Sequence, residues 1–484
     1  MNLAELLLPA LRWDAERGYA AQRELIDTAL DLGVGGFIFF GGPADDVRAL
    51  ASELVQRSRV PLLLGADLER GAGQQFAGKT GLPPLAALGA LRDDATMRRA
   101  AALTAKEARD LGLNWVYAPV LDLDVEPDNP IVGTRAIGGD PATVAELGAA
   151  WIAGCQSQHV LACGKHFPGH GRTTTDSHAE LPVVTAGADV LDREDLEPFR
   201  RAIVAGVASI MSAHVTFPAL DSSGAPATLS RLILTGLLRQ RLGFKELIVT
   251  DALIMAGVRE QDSEARAAVR ALAAGCDLLL YPEDLSGVLR EAAAAMASGE
   301  LSQEEIGRSI ERRRRWADWT ATAPGDAAGE DPAWVTAVAC SVVHLVQGDP
   351  PPLTGDVELT VIDDDIGGPY PPPSREPFAA RLRELGVRVR ESGDAPGGRD
   401  DAMRLVALFG DIRAWKGRPG YSQRAVGELG RAAARDAART VLMQFSHPRL
   451  ATLTKVSCPI VCAWGGEATM QRAAADWLVH RCRS

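Results

Sequence analysis

From position 165 the sequence runs Lys-His-Phe-Pro-Gly-His-Gly-Arg-Thr-Thr-Thr-Asp-Ser-His, placing three histidines, a lysine and an aspartate within fourteen residues. Pro168, Gly169 and Gly171 make this an irregular, sharply turning loop, a composition that packing rarely demands. Asp176 stands two residues before His178. A carboxylate so placed can accept the imidazole N–H, fix the ring tautomer and raise its basicity. Such a histidine can give a proton to a leaving oxygen and later take one from water. The opposing nucleophile has to be a carboxylate in a polar place, where it stays ionised. Asp251, in Val-Thr-Asp-Ala-Leu, leaves the end of an apolar run and suits that task. Two other readings of these residues stay open. Asp251 could cap the next helix, and His166, His170 and His178 could hold zinc or be incidental to a solvated loop. No HExxH or CxxC spacing supports the zinc reading, and no metal is expected.

The elements that must position these groups are short apolar runs separated by long helical patterns. The runs cover residues 36–40, 61–66, 113–123, 160–167, 208–215, 247–253 and 277–281, with a weaker one near 6–13. Ala-rich, charge-punctuated stretches such as 95–110 and 264–274 lie between them. Alternation of this kind predicts an α/β chain with a parallel sheet covered by helices. Eight runs fit a (β/α)8 TIM-like barrel over residues 1–320. The residues with chemistry in them, Asp67, Asp122, Asp124, Lys165, His166, His214 and Asp251, all fall at the carboxyl ends of the runs. In a barrel those ends converge on the mouth where catalysis occurs. An open doubly wound sheet is the structural alternative.

Residues 321–331, Ala-Thr-Ala-Pro-Gly-Asp-Ala-Ala-Gly-Glu-Asp, read as a linker. Strand-like runs at 359–362, 405–409, 440–443 and 460–463, with helical patterns at 377–385 and 422–439, predict a smaller α/β sandwich domain over 332–484. Within it, the loop-like stretch 414–421 carries Trp415 and two cations, Lys416 and Arg418, and is expected to be structural.

A net charge of −12 without any Lys/Arg-rich run excludes nucleic acid and anionic membranes as natural partners. No run approaches the eighteen or so apolar residues of a membrane span. The N-terminal stretch carries Glu5, Asp14 and Glu16 where a secretory signal would be basic and then apolar. The seven cysteines are odd in number and scattered, which predicts reduced thiols in a cytoplasmic protein.

The block KHFPGHGRTTTDSH followed by Leu-Pro, then IMSAHVTFPALD, then VTDALIM, in this order, resembles glycoside hydrolase family three. It is most similar to the β-N-acetylhexosaminidase branch, including enzymes that trim N-acetylglucosamine from cell-wall fragments in peptidoglycan turnover. The resemblance covers residues 1–320 and implies roles residue by residue. Asp251 resembles the nucleophile that forms a covalent glycosyl-enzyme. His178 resembles the general acid/base, oriented by Asp176. Lys165 and His166 resemble the pair that binds sugar hydroxyls, with Arg135 in Gly-Thr-Arg-Ala and Asp67 in Gly-Ala-Asp-Leu-Glu as further sugar contacts. His214 lies in a matching motif and is placed near the substrate. One departure stands out: Gln75 occupies the place of a sugar-binding arginine, a task that Arg70 could take over.

The reading that follows is a retaining exo-β-N-acetylglucosaminidase acting on an N-acetylglucosamine-containing oligosaccharide or muropeptide, with no cofactor. The alternatives are a phosphorylase or β-glucosidase with the same nucleophile, or a non-catalytic sugar-binding protein.

Overall fold

The structure, a computed structural model, describes residues 2–175, 181–255, 263–322, 331–353, 356–366, 373–391 and 402–482. It divides into two compact units: residues 1–80, 92–126 and 136–328 form the first, and 81–91, 127–135 and 329–484 the second. Two segments inside the stretch expected to be barrel thus make their contacts with the second unit. Most of the expected linker lies outside the described residues.

In the first unit the strands are β1 (Leu7–Leu8), β2 (Ala10–Arg12), β3 (Gly36–Phe40), β4 (Leu63–Ala66) and β5 (Trp115–Val116). They continue with β6 (Leu161–Phe167), β7 (Ser209–Ser212), β8 (Leu247–Thr250) and β9 (Leu279–Leu280). β2 to β8 pair in parallel and in sequence order, β1 pairs with β9, and Val249 of β8 bridges to Leu278 beside β9. The ring therefore closes. β1 and β2 are one strand position interrupted at Pro9, which has no N–H to give to a ladder. This is the α/β barrel that the alternation predicts, and the open-sheet alternative falls.

The strands read as continuous apolar runs because helices cover one face and the barrel interior the other. β3, β4, β6, β7 and β8 are buried along nearly their whole length. The covering helices start where the sequence supplies caps. Asp93 accepts from the Ala95 and Thr96 N–H groups ahead of Asp94–Asp110. Asp140 caps Pro141–Gln156, and Ser263 caps Glu264–Ala274. The end opposite the site is tied by a buried ion pair: Arg313 Nη2 reaches Glu5 Oε2 at 2.5 Å, and Arg313 Nη1 reaches the Pro61 carbonyl at 2.5 Å.

The second unit holds a six-stranded sheet. Its strands are β10 (His344–Gln347), β11 (Asp356–Asp363), β12 (Arg388–Glu391), β13 (Met403–Phe409), β14 (Thr440–Phe445) and β15 (Ile460–Cys462). The order is β10-β15-β14-β13-β11-β12, all parallel except β10. Helices Glu376–Glu384 and Ala468–Cys482 share a core with one face, and Gln423–Ala434 packs on the other. The 414–421 stretch is committed internally. Lys416 Nζ lies 2.5 Å from Asp365 Oδ1, Arg418 Nη2 lies 3.0 Å from Asp364 Oδ2, and the Tyr421 hydroxyl bonds Ser446 at 2.6 Å.

Candidate active site

β4 and β6 deliver the centre of the site. β6 is buried over all seven residues, including Lys165 and His166, so both must find partners inside the protein. Lys165 Nζ lies 2.7 Å from Asp67 Oδ1 and 2.8 Å from Glu69 Oε1. Two carboxylates around one ammonium leave a net negative charge there. Asp67 is the member that faces outward, with 29% of its side chain exposed against 2% for Lys165 and 5% for Glu69. Asp67 and Glu69, two residues apart just after β4, reach the same cation. That period-two spacing was the available signal for Glu69, a residue to which no role was assigned from sequence.

His166 is held by Asp122. Its Nδ1 lies 2.7 Å from Asp122 Oδ2, and its backbone N–H donates to Asp122 Oδ1 at 3.0 Å. The His170 N–H donates to the same oxygen at 2.6 Å. Burial acts against the charge on Asp122, yet the neighbouring His166 and His170 with these hydrogen bonds bring its pKa below the ordinary carboxylate value. His170 is the opposite case. Burial dominates and pushes it down to about 4, despite the attraction of Asp122, so the ring is neutral at pH 7. It lies edge-on to His166, and its Nδ1 sits 2.8 Å from Thr173 Oγ1.

The loop after β6 is clamped at both ends of its described parts. A Cβ on Gly171 would run into the Leu123 carbonyl, so the close approach requires glycine. Arg172 bonds Asp195 at 2.8 Å and Glu194 at 2.5 Å. On the far side, the Val184 N–H donates to the Thr216 carbonyl and the Thr216 N–H to the Pro182 carbonyl, each at 2.9 Å. Asp176 and His178 lie outside the described residues.

Asp251 follows β8. Its Oδ1 accepts the Ala252 N–H at 2.8 Å, and its turn is joined to β9 through the Leu253 N–H on the Leu280 carbonyl at 3.0 Å. The fully buried thiol of Cys163, on β6, feels the charges of Lys165, Asp67 and Asp251 together. Asp67 just after β4, Lys165 on β6 and Asp251 just after β8 all stand at the carboxyl ends of parallel strands, on the same side of the barrel. Asp251 acts on His170 as well. His214 is buried, with Nδ1 2.8 Å from Thr228 Oγ1 and Nε2 3.2 Å from the Ala252 carbonyl. Gln75 is spent on a turn, accepting the Gly41 N–H at 3.2 Å, and Arg70 is buried. Arg135 ends the turn Gly133–Arg135, donating its backbone N–H to the Val132 carbonyl at 2.8 Å, in a segment that counts with the second unit.

Among the described residues no group of His, Cys, Asp and Glu side chains forms a metal cluster, and no helix is long and apolar enough to cross a membrane. What the arrangement offers chemically is a buried cation between carboxylates, an oriented imidazole and an ionisable carboxylate on one rim.

The chain is similar to several known proteins. It is 36% identical over 290 residues to a beta-N-acetylglucosaminidase/beta-glucosidase of Cellulomonas fimi, covering 58% of this chain and 51% of that protein. It is 39% identical over 269 residues to a beta-hexosaminidase of Thiobacillus denitrificans, covering 53% of this chain and 74% of that protein. The chain thus spans about half the length of the first relative. Among solved structures, a glycoside hydrolase family 3 beta-N-acetylglucosaminidase from Paenibacillus sp. superposes with a TM-score of 0.86 at 29% identity, over 99% of this chain and 95% of that one. The beta-glucoside phosphorylase BglX superposes with a TM-score of 0.85 at 21% identity, over 99% and 92% of the two chains, which is a likeness of fold alone. The profile described as glycosyl hydrolase family 3 N terminal domain matches residues 2–315, and the chain belongs to glycosyl hydrolase family 3.

Proposed function

We propose that the protein is a retaining exo-β-N-acetylglucosaminidase whose chemistry is carried by residues 1–320. The observation that carries the reading is that Asp67, Lys165 and Asp251 stand at the carboxyl ends of β4, β6 and β8, with Lys165 Nζ 2.7 Å from Asp67 Oδ1. That arrangement supports Asp251 as the nucleophile and Asp67 with Lys165 as sugar-hydroxyl ligands. In the first step an Asp251 oxygen bonds the anomeric carbon as the glycosidic C–O bond breaks, and His178 gives its proton to the leaving oxygen. In the second, His178 takes a proton from water, whose oxygen displaces Asp251 and restores the original anomeric configuration. Asp176 holds the imidazole in the tautomer that can do both. Lys165, His166 and Asp67 bind the sugar's hydroxyls.

Supporting this reading, the loop that carries Asp176 and His178 is anchored on both flanks, by Arg172 and by residues 182–184. The named activities of the Cellulomonas fimi, Thiobacillus denitrificans and Paenibacillus proteins point the same way. The seven cysteines are all unpaired, in keeping with a reducing cytoplasm.

The test is turnover of aryl β-N-acetylglucosaminide against aryl β-glucoside, with and without phosphate, by the native enzyme and Asp251→Ala. The reading expects hydrolysis of the first substrate and nearly complete loss in the variant. Formation of sugar-1-phosphate would convert the assignment to a phosphorylase. Full activity of Asp251→Ala would remove the nucleophile.

A further inference from the structure

His214 was expected among the substrate ligands, but its ring already has two protein partners. Nδ1 lies 2.8 Å from Thr228 Oγ1, and Nε2 lies 3.2 Å from the carbonyl of Ala252, the residue after Asp251. A carbonyl only accepts, so Nε2 carries a proton. Thr228 Oγ1 lies also 2.9 Å from Ser212 Oγ and 3.0 Å from the Ala213 carbonyl.

These contacts close into one consistent chain for a neutral ring. Ser212 donates to Thr228, Thr228 donates to Nδ1, and Nε2–H donates to the Ala252 carbonyl. The Ala213 carbonyl is not stranded, since it takes the Thr228 backbone N–H at 3.2 Å. Were Nδ1 protonated, Thr228 would turn its own proton to the Ala213 carbonyl, and the Nε2 bond would persist. The grip on Ala252 therefore does not depend on the ring's charge.

The Ala252 carbonyl also accepts the Met255 N–H at 3.1 Å, closing the turn that Asp251 opens. On its other side the turn is held by β9, through the Leu253 bond to Leu280 and the Leu280 N–H on Thr250 Oγ1 at 2.9 Å. His214, two residues past the end of β7, ties this turn through its side chain.

We infer that His214 is a positioning residue for the nucleophile: it braces the Asp251 turn through its Nε2–H and leaves the sugar to other groups. The inference rests on the reading of Asp251 as nucleophile. A carboxylate displaced by about 1 Å from the line of attack loses on the order of 100-fold in rate while the binding groups stay in place. The signature is thus a fall in kcat with KM preserved.

The experiment compares His214→Asn with His214→Gln. An Asn amide reaches the Nδ1 position and cannot reach Ala252, whereas a Gln amide reaches the Nε2 position. Glycosylation would be followed in single turnover with 4-nitrophenyl β-N-acetylglucosaminide, alongside the Ki of N-acetylglucosamine. His214→Asn is expected to lose about 10- to 100-fold in the glycosylation rate with KM and Ki within about twofold, and His214→Gln to recover most of it. Thr228→Val, which removes the hydroxyl that holds the ring as the Nε2–H tautomer and so loosens the Nε2 bond to Ala252, serves as the second variant should either histidine variant not fold, and is expected to lose rate and not binding. A rise in KM and Ki at unchanged rate in any of the three would make His214 a sugar ligand and overturn the inference. Equal losses in His214→Asn and His214→Gln would overturn it too. A dead Asp251→Ala beside a fully active His214→Asn sinks this inference alone, whereas an active Asp251→Ala sinks the nucleophile beneath it.

Discussion

Asp122 Oδ2 lies 2.7 Å from His166 Nδ1, and this pair decides which ring nitrogen is presented at the barrel mouth. With Nδ1–H given to the carboxylate, Nε2 is left to meet a sugar hydroxyl. The same carboxylate takes the backbone N–H groups of His166 and His170.

Asp122→Asn keeps the shape and turns an acceptor into a donor against three donors. A buried group deprived of its partner costs about 1–3 kcal/mol, more when charge is involved. The variant is expected to melt lower and to lose about 100-fold in kcat/KM, mostly through KM, as measured by thermal melts and steady-state kinetics. An unchanged KM would show that His166 does not bind the sugar.

Lys165 separates Asp67 from Glu69, so its removal leaves two carboxylates facing each other. Lys165→Met is expected to be destabilised more at pH 8 than at pH 5, because at the lower pH one of the two acids can take a proton and relieve the repulsion. Melting temperatures of variant and native protein across that range check the sign. Glu69→Gln keeps one carboxylate on the ammonium, and is expected to raise KM about 10-fold with a smaller effect on stability.

His170 titrates near 4 in the folded protein, against 6.5 for an ordinary imidazole, because burial disfavours its charge. The unfolded chain therefore binds more protons between those values, and stability falls as pH drops from about 6.5 to about 4, by at most about 3 kcal/mol, with no further loss from this group below. In His170→Asn, which cannot titrate, the slope of melting temperature over that window is expected to be shallower. An identical slope would place the acid sensitivity elsewhere.

How much of this was legible in the sequence depended on the range of the contact. β3, β6 and the helix Glu264–Ala274 follow from apolar runs, periodicity and caps that lie within a few residues of each other. The run at 113–123 promised a long strand and yields a two-residue strand with a separate bridge from Val120 to Lys165, since Pro119 between them brings no N–H to the ladder. β10 and β12 went unseen because edge strands with half-exposed faces need not be apolar. At the site, residue types at strand ends pointed to Asp67, Lys165, His166 and Asp251. The pairing of Lys165 with Asp67, 98 residues away, and the Thr228 partner of His214 carry no local pattern, so only the folded chain displays them.

The far end of the barrel gives a contrasting prediction. Glu5 and Arg313 are both fully buried and bonded to each other. Glu5→Ala leaves the guanidinium uncompensated and is expected to cost about 3–5 kcal/mol in chemical denaturation. Because conserving the mouth does not depend on this pair, kcat/KM of the remaining folded enzyme is expected to stay within about twofold.

The most direct measurement is to trap the intermediate. A fluorinated N-acetylglucosaminide with a good leaving group would be reacted with the enzyme, and the digested protein mapped by mass spectrometry. One sugar per chain is expected, bonded to the peptide that contains Asp251. A sugar bonded to any other residue, or steady turnover of the natural configuration with no covalent adduct at any time, would contradict Asp251 as the nucleophile.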